Sequence, residues 1–152
     1  MDVLAIMDLA AELEERVALL YHNYSAHFHA SQAGFLFWEH LSLEEKRHAD
    51  MVRTYRHQRL LLPVCRRSHP DLLRDLEQVR RAALQELRQV EREHIREALE
   101  VAQAVENQLC RAHLSHISTV ADPVLVRLLG RLGQEDQRHL EKIAVMARGL
   151  PG

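Results

Sequence analysis

Two carboxylate–histidine pairs of equal spacing occur in the two halves of the sequence: Glu45 with His48, and Asp136 with His139. A separation of three residues puts both side chains of a pair on one face of an α-helix. Carboxylate oxygens and imidazole nitrogens without a thiolate form a donor set that suits iron or manganese, and zinc also binds to it. Each pair could therefore supply half of a metal site.

A further glutamate precedes each pair at nearly the same distance. Glu14 lies 31 residues before Glu45, and Glu106 lies 30 residues before Asp136. Together the halves supply four carboxylates and two imidazoles, and four carboxylates balance the charge of two divalent ions. Burying these groups in ionised form without cations would be very costly. The predicted ligands are Glu14, Glu45, His48, Glu106, Asp136 and His139.

The sequence around these residues also repeats. Leu9–Glu14 matches Val101–Glu106, and Leu41–His48 matches Leu132–His139, in the order of apolar and acidic residues. A lone Glu-x-x-His match arises by chance in a chain with 11 histidines, and we interpret the match at residues 91–94 as surface charge. The shared register of the two halves, rather than either pair alone, supports the metal site.

Long amphipathic helices are predicted to carry these residues, because apolar residues recur at steps of three and four. The stretch from Asp71 to Val120 has no Gly or Pro and is too long for one helix, so we expect an accessory helix over about 71–89 and a break near Val90–His94. The four predicted core helices run from about Asp2 to Ala30, from Phe35 to Arg59, from near His94 to Thr119, and from Asp122 to near Gly149.

This order of elements predicts an all-α fold with one domain over residues 1–152. Its architecture is a four-helix bundle with a long crossover, the accessory helix, between the second and third core helices. Pro70 suits the first turn of the accessory helix, and Gly149 suits a left-handed end of the last core helix. Gly130 and Gly133 inside that last helix indicate close packing against a neighbour.

The composition argues against several classes of function. The formal net charge is −2 and the arginines alternate with acidic residues, so no basic surface for nucleic acid is expected. The N-terminus lacks the pattern of a signal peptide, and no apolar run reaches the length of a membrane span. Cys65 and Cys110 stand alone, which predicts reduced thiols in a cytoplasmic protein and excludes a cysteine-bound metal module.

The order Glu, Glu-x-x-His, Glu, Asp-x-x-His resembles the ferritin-like superfamily of di-iron carboxylate proteins, and rubrerythrin-type domains in particular. Glu14 followed seven residues later by Tyr21 is similar to that family, and so is the run Glu44–Ala49. The resemblance implies a ferritin-like bundle that binds two iron ions, with manganese or zinc as alternatives. It also implies terminal ligands Glu14 and Glu106, bridging ligands Glu45 and Asp136, and imidazole ligands His48 and His139.

Three features depart from that family pattern. Family members usually have Glu where this chain has Asp136, and Glu135 is the alternative ligand on that helix. Leu109 stands where rubrerythrins carry an extra glutamate, which bears on their peroxidase chemistry. The rubredoxin-like cysteine module is absent, so electrons would come from an external donor.

These patterns favour an iron-dependent oxidoreductase that reacts with peroxide or dioxygen, of peroxidase or ferroxidase type. The alternatives are a metal-binding protein for iron handling or sensing without turnover, and a structural helical module with a degenerate site. Tyr21 is the candidate catalytic residue, as a hydrogen-bond donor to a ligand or an electron relay, unless it is a core tyrosine. His113 holds the matching place on the third core helix and is a candidate donor to a carboxylate. We expect a homodimer.

Overall fold

The computed structural model describes residues 2–63, 67–92 and 94–151, leaving aside the side chain of Arg92. Within these residues the chain is helical and contains no strand, so the predicted all-α class is confirmed. The helices are α1 (Asp2–His27), α2 (Gln32–Leu60), α3 (Pro70–Leu87), a short 3₁₀ helix (Val90–Arg92), α4 (Ile95–Leu114) and α5 (Pro123–Arg148). The accessory helix and the predicted break after it are therefore both present.

Local capping signals begin α3 and α5 where the sequence predicts them, whereas α2 begins at Gln32, three residues before the predicted Phe35. The Ser31 side chain accepts a hydrogen bond from the Gly34 N–H and caps α2. Asp122 caps α5 more strongly, because Oδ1 accepts from the N–H groups of both Val124 and Leu125 at 3.0 Å. Pro70 occupies the first turn of α3, where its missing N–H costs nothing.

Two predicted helix ends are wrong. α4 ends at Leu114 rather than near Thr119, and turns follow in which the Thr119 N–H and hydroxyl both bond to the carbonyl of His116. Such local side-chain bonds compete with helix continuation. Gly149 closes α5 with φ −78°, a right-handed conformation, so the predicted left-handed end is also wrong.

The helices pack in two pairs, α1 with α2 and α4 with α5. The accessory helix α3 lies against α1 and α4, and α2 also touches α5, so the pairs close around one core. The indole of Trp38 is completely buried near that core, with ring centroids 5.6 Å from Tyr21 and 4.8 Å from Tyr24. Apolar burial of this kind supplies most of the stabilisation that holds the helices together.

Glycine permits one close approach between α4 and α5. A Cβ added at Gly133 would lie 2.3 Å from Cδ2 of Leu114, so the packing interpretation holds there. No neighbouring helix in the described part of the chain comes within 4 Å of a Cβ built at Gly130, so the same interpretation is wrong for Gly130.

No helix in the described ranges combines the length and apolar character needed to cross a membrane. Cys110 is a half-buried free thiol, whereas Cys65 lies outside the described residues, as does Glu93 of the chance match at 91–94.

Candidate metal centre

Four carboxylates from four different helices lie completely buried inside the bundle. They are Glu14 of α1, Glu45 of α2, Glu106 of α4 and Asp136 of α5. Each lies on the apolar face of its helix, and pairing of the helices turns these faces toward one another. The structure therefore brings together the carboxylates that the sequence repeat singled out.

Glu45 lies between the two histidines of the predicted pairs. Its Oε1 is 2.8 Å from Nδ1 of His139, and its Oε2 is 3.0 Å from Nδ1 of His48. His139 Nδ1 also lies 3.2 Å from Oε1 of Glu106, and His48 Nδ1 lies 3.5 Å from Oε2 of Glu14. The two rings are stacked, with centroids 5.1 Å apart and planes at 21°. Both rings thus present Nδ1 to the carboxylates.

Ligand atoms of Glu45, His48 and His139 all lie within 4.8 Å of one another, so this group can hold a metal ion. The wider cluster contains six buried side-chain atoms that have no well-directed hydrogen bond from the described residues. They are both Oε atoms of Glu14, Oε1 of Glu45, Oε2 of Glu106, Nε2 of His113 and Oδ1 of Asp136. Carboxylate and imidazole atoms in this state fit the requirements of a divalent cation.

A second carboxylate faces the outer nitrogen of each ring. His139 Nε2 lies 2.9 Å from Oε2 of Glu44, and His48 Nε2 lies 3.8 Å from Oε2 of Glu135. Both glutamates directly precede the inward carboxylate of their own helix, and one residue step turns a side chain by roughly 100°. A carboxylate in this place fixes the ring orientation and tautomer. This position of Glu135 suits ring orientation better than replacement of Asp136 as a ligand.

Sequence reasoning missed Glu44 as a functional residue. Its oxygens lie 2.8 and 2.9 Å from Nζ of Lys142, and Oε1 is 3.2 Å from Nε2 of His40. A signal was present, because His40 lies four residues before Glu44 and Lys142 lies three residues after His139. Residues at these spacings share a helical face.

Asp136 makes its close contact with a third imidazole, that of His113. Nδ1 of His113 is 2.6 Å from Oδ2 of Asp136, and both side chains are completely buried. The other ring nitrogen, Nε2, lies 3.8 Å from Oε1 of Glu14. The expectation that His113 reaches a carboxylate therefore agrees with this geometry.

Tyr21 donates a hydrogen bond from its hydroxyl to Oε1 of Glu106 at 2.7 Å. Burial, followed by the negative charge of Glu106, raises the pKa of Tyr21 well above its ordinary value. Tyr21 follows Glu14 by seven residues, as His113 follows Glu106, and each reaches a carboxylate from the other half of the chain. Leu109, at the departure noted above, is completely buried and supplies no oxygen.

Burial and neighbouring negative charges favour the protonated forms of two carboxylates, Glu45 and Asp136. Burial, then the charges of Glu106 and Glu14, raises the pKa of Glu45 well above its ordinary value. Burial also raises the pKa of Asp136 to about 7, although the neighbouring His113 opposes this rise. Without cations, these protons partly neutralise the cluster.

Glu14, His48 and His139 are instead held in their charged forms. Burial opposes ionisation of Glu14, but contacts with His48 and Glu45 outweigh it and lower the pKa of Glu14 to about 2. Burial likewise disfavours a charged His48, yet Glu14 and Glu45 raise its pKa to about 10. Glu45, Glu106 and Glu44 overcome burial to raise the pKa of His139 as well.

Comparison with protein-family models, with characterised proteins and with solved structures gives no match to this chain. Function is therefore inferred from the arrangement of these side chains.

Proposed function

We propose that this protein is a ferritin-like protein of rubrerythrin type that binds two iron ions and reduces hydrogen peroxide or dioxygen with them. One observation carries the proposal: four completely buried carboxylates are interleaved with three buried imidazoles in one connected cluster. Such a concentration of acidic groups is expensive inside a helical bundle unless cations neutralise it. The sequence repeat supports the same conclusion, because it supplies ligands in two matching sets.

The side chains of the site form an inner group that would hold the cations and an outer group that orients the imidazole rings. Glu45 faces both Nδ1 atoms, with Glu14 and Glu106 beside it, and these side chains would hold the cations. Glu44 holds the outer nitrogen of His139, which keeps Nδ1 turned inward. Two bound ferrous ions would supply one electron each, which reduces peroxide to water when two protons are added. An external donor would return the electrons.

The test is anaerobic loading with ferrous iron followed by addition of hydrogen peroxide. We expect rapid oxidation of about two irons per chain, seen as the near-ultraviolet absorption of ferric iron. Glu106→Gln should slow this oxidation at least about tenfold. Glu100→Gln, the same change on an exposed position of α4, is the matched control and should leave the rate unchanged. Absence of metal uptake, or oxidation no faster than that of free iron, would refute the proposal.

A second candidate, a metal-binding protein without turnover, has support from Asp136. Its Oδ2 lies 2.6 Å from Nδ1 of His113, and the apolar Leu109 stands three residues after Glu106, so both positions depart from the family pattern. Tight stoichiometric metal binding without oxidation by peroxide or dioxygen would select this candidate. A structural module with a degenerate site would instead bind no metal, and Glu45→Ala with His48→Ala would not lower its stability.

A further inference from the structure

His113 is a completely buried imidazole whose two nitrogens have different surroundings. Nδ1 contacts Oδ2 of Asp136 at 2.6 Å. Nε2 has no hydrogen-bond partner among the described residues and lies 3.8 Å from Oε1 of Glu14. That glutamate oxygen is also buried and also lacks a hydrogen bond there. Two unsatisfied ligand atoms therefore face each other inside the protein.

The distance between these two atoms suits a shared cation. Metal–nitrogen and metal–oxygen bonds are each roughly 2.0–2.2 Å long, so two atoms on one ion lie at most about 4.4 Å apart. The observed 3.8 Å falls within this limit but is too long for a hydrogen bond. The contact between Nδ1 and Asp136 matches the second requirement, because a histidine ligand usually donates its other ring N–H to a carboxylate.

We propose that His113 is a metal ligand, which binds through Nε2 beside Glu14, and that Asp136 is the positioning residue for its ring. The inference rests on the proposed function and changes the ligand set of that site. The centre then has three imidazole ligands, from His48, His113 and His139. The short side chain of Asp136 is accounted for, because it need not bridge two ions.

The pair of His116 and Asp75 is a partly exposed histidine–aspartate contact that can be compared with the buried one. Nε2 of His116 lies 2.6 Å from Oδ2 of Asp75, the same distance as in the buried pair. The His116 side chain is 19% exposed, whereas that of His113 is 0% exposed. Water can therefore satisfy the remaining nitrogen of His116. Bulk solvent does not reach Nε2 of His113, so a simple ion pair with Asp136 leaves that atom without a partner in the described part of the chain.

The experiment uses Co²⁺ as the probe and protein whose histidines carry ¹⁵N. Imidazoles bound to Co²⁺ give strongly shifted signals, and at two equivalents of Co²⁺ we expect three shifted histidines. His113→Gln should remove one signal and weaken binding of one Co²⁺ by more than about 100-fold. Asp136→Asn should keep three signals and weaken that ion by about 10–100-fold. His116→Gln, the matched control, should change neither the count nor the affinity.

The outcomes separate the inference from the proposed function. Two shifted histidines in the wild-type protein would overturn the role of His113 while leaving a metal centre in place. A larger effect of Asp136→Asn than of His113→Gln would do the same, since it would make Asp136 the ligand. Absence of any Co²⁺ binding would instead refute the proposed function. If His113→Gln does not fold, the count in wild-type protein decides.

Discussion

Tyr21 on α1 and Glu106 on α4 are joined by a 2.7 Å hydrogen bond, although 85 residues separate them in the chain. The bond links the first half of the bundle to the second at the level of the acidic cluster. Both side chains are completely buried, so bulk solvent does not compete for this hydrogen bond.

Tyr21→Phe keeps the ring against Trp38 and removes the hydroxyl. Loss of a buried bond to an acidic acceptor should reduce the free energy of unfolding by about 1–3 kcal/mol, measured by urea denaturation. Tyr55→Phe is the control, since that hydroxyl is 3.4 Å from Arg131 near the surface and should matter little. If Tyr21 also relays electrons, the iron-loaded variant should react more slowly with peroxide; an unchanged rate would reduce Tyr21 to a structural role.

The contacts of Glu44 and Glu135 predict a graded effect on metal affinity. Glu44 lies 2.9 Å from its ring nitrogen and Glu135 lies 3.8 Å from its own. Glu44→Gln should therefore weaken binding by about 10–100-fold, and Glu135→Gln by less, in a competition titration with a coloured chelator. Equal effects of the two variants would contradict an orienting role that depends on contact distance.

The stability of the metal-free protein should fall as the pH rises above neutrality. The pKa of His48 is about 10 in the folded chain and 6.5 ordinarily, so its stabilisation is complete below about pH 6.5 and is lost as the pH rises through 10. Burial raises the pKa of Asp136 from 3.8 to about 7, so this carboxyl also makes the stability fall as the pH rises from 3.8 to about 7. Glu14 acts oppositely, but only below about pH 4.5.

Urea midpoints of metal-free protein at pH 6.5, 8 and 10 measure this decline. His48→Gln should flatten the dependence on pH, whatever its effect on stability at one pH. His57→Gln, an exposed histidine on the same helix, should leave the slope intact. A stability that increases between pH 6.5 and 10 would show that the imidazole of His48 is not held in its charged form.

Substitution by alanine should have opposite effects on stability at Gly133 and at Gly130, both on α5. Gly133→Ala would drive a Cβ to 2.3 Å from Leu114 and should destabilise the protein by about 1–3 kcal/mol, net of the better helix propensity of alanine. Gly130→Ala meets open space and should stabilise it by up to about 1 kcal/mol. Thermal unfolding of both variants is the measurement, and Leu114→Ala should relieve the penalty at Gly133.

Much of the fold was predictable because its signals are local. Asp122 before Pro123 and His69 before Pro70 begin α5 and α3 as expected, and the shared face of residues three apart brought Glu45 with His48 inward. The end of α4 at Leu114 was not predictable from the apolar pattern, which continues through Ile117 and Val120.

The partners of the site were less predictable than its members. The contacts of His113 with Asp136, and of Glu44 with His139, depend on how far each helix is rotated about its axis. That rotation is set by packing between helices, which one sequence does not contain. Spacing could place Glu44 near a ligand, but it could not say which ring nitrogen Glu44 would meet.

The cluster draws its opposite charges from both halves of the chain, and this affects how the protein folds. The hairpin α1–α2 brings two carboxylates and one imidazole, and these carboxylates also face His139 of α5 and His113 of α4. Each hairpin pairs part of its own charge, as in the contacts of His48 with Glu45 and of His113 with Asp136, but His139 meets Glu45 only after the two hairpins dock. Contacts so distant in sequence form late and slowly. Docking of the hairpins and neutralisation of the interior should therefore occur as one cooperative event.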